Sequence, residues 1–193
     1  AAAAPAARQR TIKMPEPTNT WETQQKILVI LAHPDDPEFF CGATLAKWAR
    51  EGHTIQYLLL TCGDKGFNPT TTPDMTPEKL CGLRHIEQAE AAKVIGVEPP
   101  LFMDLPDGYL IPDLNLRRDV VREIRRHKPD ILLTCDPQNL FALYGINHPD
   151  HRACGQIVLD AVFPAAGNVA YFPELMDEGF EPHTPKAAWC SMT

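Results

Sequence analysis

The chain has 193 residues, 44% hydrophobic and 22% charged, which is enough for one full-sized core and too little to argue for two. Its formal net charge of -7 argues against a nucleic-acid partner, because phosphate binding normally needs a clustered excess of Lys and Arg. One basic run is interleaved with Asp119 and Glu123, so we interpret it as the solvated face of a helix. Its members are Arg117, Arg118, Arg122, Arg125 and Arg126.

Hydropathy and cysteine usage narrow the class of protein further. The sequence has no run of about 18 apolar residues, so it predicts no membrane-spanning helix. The six cysteines are widely spaced and form no C-x-x-C pair, which argues against a zinc ribbon and against a dense disulfide framework. This cysteine usage favours a reduced, cytoplasmic compartment.

The N-terminal segment differs in composition from the rest of the chain. It is rich in alanine, begins without methionine and has no strong periodicity, as in a processed end or a disordered tail. We therefore interpret residues 1–24 as such a tail and residues 25–193 as a single domain.

Short apolar strands alternate with amphipathic helices from residue 26 onward. The strands are predicted at residues 26–32, 54–60, 101–103 and 131–134. The helices are predicted at about residues 40–51, 77–95, 115–128 and 149–162. Loops rich in turn-forming residues follow the second and fourth strands, and beyond Phe163 the pattern fades.

This order of elements predicts an α/β fold with a Rossmann-like open, mostly parallel sheet and helices on both faces. The strands are nearly all apolar, as expected of strands buried on both faces. Ligands of such sheets bind outside the carboxyl ends of the strands. No G-x-G-x-x-G follows the first strand, so a dinucleotide site is not predicted.

The first segment that can carry chemistry is AHPDDPE, residues 32–38, where the first strand ends. It places one imidazole and three carboxylates within six residues. Burying so much charge is expensive unless a cation or hydrogen bonds compensate it, and a metal ion is the simplest compensation. A polar turn with an aspartate capping the next helix is the alternative interpretation.

The second segment is NHPDH, residues 147–151, after the loop that leaves the fourth strand. If Pro149 opens the last helix, His151 lies in its first turn and His148 in the preceding loop, both at the same sheet edge. Alone, a surface histidine pair would explain this segment equally well. Two His-Pro-Asp clusters at one edge predict that both converge on one cation. Two His and one Asp leave a position open for water, which is the layout of a catalytic zinc site.

Both segments resemble the marks of a known family, the LmbE-like or PIG-L zinc-dependent N-acetylglucosaminyl deacetylases. These marks are an A-H-P-D-D-x-E or A-H-P-D-D-E motif and a later H-P-D-H. Residues 41–45 are similar to the G-G/A-T helix start of the family, and residues 84–97 to its R-x-x-E…A…L-G-V helix. The likeness spans roughly residues 26–163.

The resemblance implies a metal centre and a base. Carried over position by position, His33, Asp36 and His151 would ligate zinc, with Fe²⁺ as the alternative metal. Asp35 would act as the general base on the attacking water.

The resemblance also implies supporting and substrate-binding residues. His148 would polarise the substrate carbonyl or protonate the leaving amine, and Asp150 would orient an imidazole. Glu38 is assigned a structural hydrogen-bonding role. Arg84 and Asp107 match positions that contact sugar hydroxyls, although a helix-surface cation and a turn residue would explain them equally well.

The implied activity is removal of an N-acetyl group from a GlcNAc-type sugar or sugar conjugate. Two alternatives stay open, a metal-dependent amidase or esterase acting on a non-sugar substrate and an inactive, metal-stabilised glycan-binding module.

Related hydrolases often form rings, so a homo-oligomer is expected. Family members usually continue beyond the last helix, so a chain ending at Thr193 is expected to be truncated or a short variant. Asp64 and Lys65 are interpreted as exposed loop charges.

Overall fold

A computed structural model describes residues 21–142 and 145–193 of the chain. Most of the tail predicted at residues 1–24 lies outside the described residues. Seven strands are present in the described part: β1 Lys26–Leu31, β2 Thr54–Thr61, β3 Leu101–Leu105, β4 Ile131–Cys135, β5 Phe141–Ala142, β6 Gly145–Ile146 and β7 Ala187–Ser191. The helices are α1 Asp36–Arg50, α2 Pro77–Ile95, α3 Leu114–His127, α4 Pro149–Asp160, a π-helical segment Ala161–Ala166, and α5 Glu174–Asp177.

Five strands form one parallel sheet in the order β3-β2-β1-β4-β7. At its centre Val29 of β1 lies between Tyr57 of β2 and Leu133 of β4. Successive side chains of a strand point to opposite faces, and every residue of β4 is buried. Helices therefore cover both faces, which confirms the predicted fold class.

The strand order changes direction between β1 and β4. The chain moves outward from β1 to β2 and β3, then returns to place β4 on the other side of β1. This reversal opens a crevice at the carboxyl ends of β1 and β4, where ligands of open α/β sheets bind.

Several helix boundaries differ from the predicted ones. Helix α1 begins at Asp36 instead of residue 40 and carries Pro37 in its first turn, where a missing N–H costs nothing. Helix α3 begins at Leu114 because the side chain of Asp113, and not that of Asn115, accepts the N-cap hydrogen bond, from the N–H of Leu116 at 2.8 Å. Helix α4 gives way to the π-helical segment before Pro164.

Strand β7 was not predicted. It pairs with β4 at the sheet edge, and three of its five residues are exposed. Its sequence, AAWCS, contains no β-branched residue and begins with two alanines, which strands disfavour. Trp21, inside the predicted tail, stacks on Trp189 of β7 with ring centroids 5.5 Å apart and contacts Trp48 of α1 at 5.1 Å.

A disulfide joins Cys62, just after β2, to Cys81 in α2. The two residues lie 19 positions apart, so their spacing gave no sign of the pairing. Among the described residues, no helix combines the length and the apolar character that crossing a bilayer requires.

The prediction that the basic run forms a solvated helix face is wrong for Arg125. Its side chain is fully buried in the core, because its guanidinium donates four hydrogen bonds of 3.0–3.1 Å to backbone carbonyls after α4. These acceptors belong to Ala165, Ala166, Asn168 and Tyr171. Arg125 therefore organises the segment that leads to β7.

Replacing Arg125 by methionine should destabilise the fold by about 3 kcal/mol, because buried carbonyls would lose charge-assisted partners. Urea unfolding measures this change. The matched control is Arg118→Met, since Arg118 lies on the same helix but its guanidinium is partly exposed and reaches the adjacent Asp119; its effect should stay within about 0.5 kcal/mol. Equal effects of the two substitutions would contradict the structural role of Arg125.

Asp130 connects the amino ends of three strands. Its carboxylate accepts a hydrogen bond from the N–H of Lys26 at 2.9 Å and pairs with Lys186 at 2.9 Å. The backbone N–H of Lys26 and then the ammonium of Lys186 lower the pKa of Asp130. Because the folded-state pKa is depressed, this stabilisation is present above the ordinary value of 3.8 and is lost as the pH falls through the folded-state pKa.

Wild type should therefore be more stable than Asp130→Asn at neutral pH, and the difference should shrink as the pH falls below about 4. Denaturant unfolding at several pH values measures both proteins. Asp74→Asn, in an exposed loop, is the control and should show no such trend. A stability difference for Asp130→Asn that does not change with pH would refute this assignment.

Candidate active site

The two motif segments meet at the crevice between β1 and β4. His33 follows β1, and His148 and His151 lie at the start of α4, after the loop that leaves β4. Together with the loop after β3 they border a cavity of about 600 Å³. The sheet topology thus brings His33 and His151, which are 118 positions apart, to one edge.

Asp36 lies at the centre of this arrangement and is buried. One carboxylate oxygen, Oδ2, accepts a hydrogen bond from the backbone N–H of His33 at 2.8 Å and lies 3.5 Å from Nδ1 of the same residue. The other, Oδ1, lies 3.1 Å from Nε2 of His151. Donor atoms of all three residues lie within 4.8 Å of one another, so they can reach one metal ion.

His151 is oriented by a residue that the sequence motifs did not single out. The side-chain oxygen of Asn147 lies 2.9 Å from Nδ1 of His151, which fixes that nitrogen as the protonated one and leaves Nε2 free for a cation. Asn147 is itself buried and donates to the backbone oxygen of Asn139 at 2.8 Å. Its position directly before H-P-D-H was the available signal.

A second set of donors faces the other nitrogen of His33. Nε2 lies 3.3 Å from both Asp150 and Asp107, and these three residues form a further potential metal-binding group with His148. Asp150 is buried and also accepts backbone N–H groups from Gly108 at 2.7 Å and Leu110 at 3.2 Å. It therefore fixes the loop after β3 against α4 and contacts the imidazole of His33.

The carboxylates at this site stabilise the protonated, positively charged form of His33. Burial alone would lower the pKa of His33, but hydrogen bonds to Asp107, Asp150 and Asp36 raise that pKa to about 12. Burial would likewise raise the pKa of Asp36, but His151 and His33 lower it to about 2. A divalent cation can replace the proton on His33 and satisfy the same carboxylates, so the residues fit a metal ion.

Asp35 lies at the rim of the cavity. Its backbone has a left-handed φ of 84°, uncommon outside glycine, and its N–H donates to the side chain of Gln88 at 2.7 Å. Its carboxylate is about two-thirds exposed and accepts a hydrogen bond from Arg84 at 2.6 Å. Gln88 also donates to Glu38 at 3.0 Å. Glu38 therefore contacts the residue that supports Asp35 and does not border the cavity. No motif in the sequence pointed to Gln88.

The remaining predicted residues border the same cavity. Arg84 also donates to the carbonyl of Pro34 at 2.7 Å, so it is not a free surface cation. The His148 ring is partly exposed and meets His33 edge-on, with centroids 4.7 Å apart. The backbone N–H of Asp107 donates to Asp64 at 2.8 Å, so Asp64 is a partly buried support of this loop and the prediction of an exposed charge is wrong for it.

The fold and the site together define a class: an α/β protein with a histidine–carboxylate metal-type site at the switch point of a parallel sheet. The chain matches the PIG-L family, GlcNAc-PI de-N-acetylase, over residues 28–162. It belongs to that family, and the resemblance inferred from the two motifs is confirmed.

Individual relatives agree with this placement. The chain is 32% identical to diacetylchitobiose deacetylase of Thermococcus kodakarensis, in an alignment that covers 91% of this chain. It is 30% identical to mycothiol S-conjugate amidase of Streptomyces coelicolor, in an alignment that covers 78% of this chain. The structure of N,N'-diacetylchitobiose deacetylase from Pyrococcus horikoshii with its inhibitor is similar, with a TM-score of 0.79 and 25% identity, covering 87% of this chain and 60% of that one.

The chain spans 61% and 56% of the length of the two relatives matched by sequence. The family match over residues 28–162 includes both motif segments.

Proposed function

We propose that the protein hydrolyses an N-acetyl group from a GlcNAc-type sugar or sugar conjugate, releasing acetate and a free amine. The observation that carries the proposal is the convergence of His33, Asp36 and His151 within 4.8 Å of one another, with a carboxylate, Asp35, on the adjacent rim. Membership of the PIG-L family and the deacetylases among the relatives support the choice of reaction.

In this proposal, His33, Asp36 and His151 hold the metal. Two imidazoles and one carboxylate suit Zn²⁺, and they also suit Fe²⁺. When bound, such an ion polarises an amide carbonyl and lowers the pKa of water towards about 7. Asn147 and Asp150 hold the imidazoles in the orientation that ligation needs.

Asp35 is positioned to accept a proton from the attacking water. Its exposed carboxylate takes a proton from the attacking water as the oxygen bonds to the acetyl carbon, and the C–N bond breaks as the amine nitrogen gains a proton. Arg84 holds this carboxylate by a charge-assisted hydrogen bond. His148, which also borders the cavity, donates a hydrogen bond to the carbonyl oxygen or the proton to the amine.

The cavity suits a small polar substrate. Its volume of about 600 Å³ lies in the range of small-molecule sites. Asp107 and Arg84 border it from two different elements and can accept from and donate to sugar hydroxyl groups. We assign them to substrate binding.

An amide substrate without this sugar is the second candidate, favoured by the likeness to a mycothiol S-conjugate amidase. It would use the same metal and base and differ in the groups that Asp107 and Arg84 contact. A panel of N-acetylated sugars and N-acetylated non-sugar amines, assayed for free amine, separates the two. A glycan-binding module without activity would have no use for Asp35 beside the metal ligands.

Three properties of the whole protein complete the proposal. We expect one domain over residues 25–193, assembly into a homo-oligomer and a cytoplasmic location. Light scattering and cell fractionation of the full-length protein test the last two.

Asp35→Asn should lower turnover by about 100-fold to 10,000-fold, the range for loss of a general base, while the bound metal stays unchanged. Amine release and elemental analysis of the same preparation measure both quantities. Asp74→Asn, remote from the cavity, is the control for aspartate replacement. An active Asp35→Asn protein would refute the assignment of the base.

His151→Ala should weaken metal binding by more than about tenfold, because one of three protein ligands is lost. Metal content after dialysis against a weak chelator measures the loss. His127→Ala, on α3 and away from the cavity, should retain the wild-type content. A His151→Ala protein that stays fully metallated would show that a different residue completes the metal site.

A further inference from the structure

A second group of metal-type donors lies outside the candidate active site. Cys62 follows β2, Cys81 and His85 lie on α2, and Asp104 lies on β3. One donor atom from each of the four lies within 4.8 Å of the others. Neither the two motifs nor the proposed reaction uses any of these residues.

Helix geometry places two of the donors side by side. Cys81 and His85 are four residues apart on α2, so their side chains point to the same face. The Cys81 sulfur lies 3.8 Å from Nε2 of His85. The ring of His85 is held by stacking on Phe102, with centroids 3.9 Å apart, so the position of Nε2 is fixed by β3.

Asp104 is directed at the group by an irregularity of β3. The pairing of β2 with β3 shifts register between Leu59 and Thr61, which face Phe102 and Leu105, so β3 carries one extra residue there. Such a bulge re-aims a side chain. Asp104 has a left-handed φ of 52°, and its Oδ1 lies 2.8 Å from Nε2 of His85 and 4.0 Å from the Cys81 sulfur.

These distances are close to those of a tetrahedral zinc site. Metal–ligand bonds of zinc to sulfur, nitrogen and oxygen place neighbouring donors about 3.3–3.8 Å apart. The Cys81 sulfur lies at about this spacing from His85 and Asp104, at 3.8 Å and 4.0 Å, whereas the hydrogen-bonded atoms of His85 and Asp104 lie closer together, at 2.8 Å. To bind the ion, the two sulfurs, which are joined as a disulfide, must separate, and the hydrogen-bonded atoms of His85 and Asp104 must move apart by roughly 0.5 Å.

We propose that the reduced protein binds a thiophilic divalent ion, Zn²⁺, through Cys62, Cys81, His85 and Asp104, and that the disulfide is the oxidised, metal-free form of this site. A small dithiol transfers two electrons and two protons, so that the S–S bond breaks, two protein thiols form and the reductant becomes a disulfide. Metal binding then releases both thiol protons.

The disulfide form and the metal-bound form would restrain the same part of the molecule. Each links the first turns of α2 to the end of β2, and a metal ion would add β3 through Asp104. Arg84, which holds Asp35, lies on α2 between Cys81 and His85. Gly63, next to Cys62, borders the active-site cavity. The second site therefore lies next to residues that border the active-site cavity.

Cobalt(II) tests this proposal, because thiolate ligation gives a near-ultraviolet charge-transfer band that a site of histidine and aspartate lacks. Wild-type protein is stripped of metal, reduced with a phosphine under nitrogen and titrated with Co²⁺; a second sample stays oxidised. The reduced sample should bind one equivalent more than the oxidised sample and should alone show the band. Zn²⁺ should bleach it by displacement.

Two variants locate the band. The double variant Cys62→Ser/Cys81→Ser should abolish it, because no thiolate is left in the group, and Cys190→Ser, which removes an exposed free cysteine on β7, should leave it intact. His85→Ala should weaken Co²⁺ binding at this site by more than about tenfold. A reduced wild type with both thiols titratable but no thiolate band would overturn the proposal, even if the double variant failed to fold. A band that persists in a folded Cys62→Ser/Cys81→Ser protein would also overturn it.

Discussion

The buried carboxylate of Asp36 is the constraint on which the arrangement of the site depends. It lies at the end of an apolar strand, where an uncompensated charge would cost several kcal/mol. Its compensation comes from the backbone and ring of His33 and from the ring of His151. Because those rings belong to different ends of the chain, satisfying one carboxylate fixes the start of α4 against the end of β1.

The topology of the sheet brings these compensating groups to the same edge. Parallel strands deliver their carboxyl ends to one edge, and the reversal of strand order leaves the crevice between β1 and β4 uncovered. The same edge receives the loop after β3, where Asp107 adds negative charge and Gly108 donates its N–H to Asp150. The carboxylates of Asp36, Asp107 and Asp150 all face imidazole nitrogens there, and a divalent cation is suited to such a concentration of negative donors.

The sequence was sufficient where local pattern determines structure. The apolar run of β1, the helix at residues 77–95 and the two histidine motifs were each evident from spacing alone. Sequence reasoning missed features that depend on tertiary partners. Arg125 has the pattern of a surface cation until the carbonyls after α4 are placed around it. Strand β7 has two alanines and no β-branched residue, so its sequence does not identify it as a strand before it pairs with β4. Asn147 and Gln88 carry no motif chemistry, since their role is to hold other residues.

Helix α2 is held in place mainly by polar and covalent links. Its apolar positions at helical spacing predicted a buried face, but Ile86 and Val94 are largely exposed, and only Leu80, Gln88 and Ala92 are buried among its residues. Packing therefore contributes little to its placement, and directed bonds contribute much: Gln88 and Arg84 hold the Asp35 segment, and Cys81 is tied to the end of β2. Such bonds keep the Asp35 carboxylate at a fixed position on the rim.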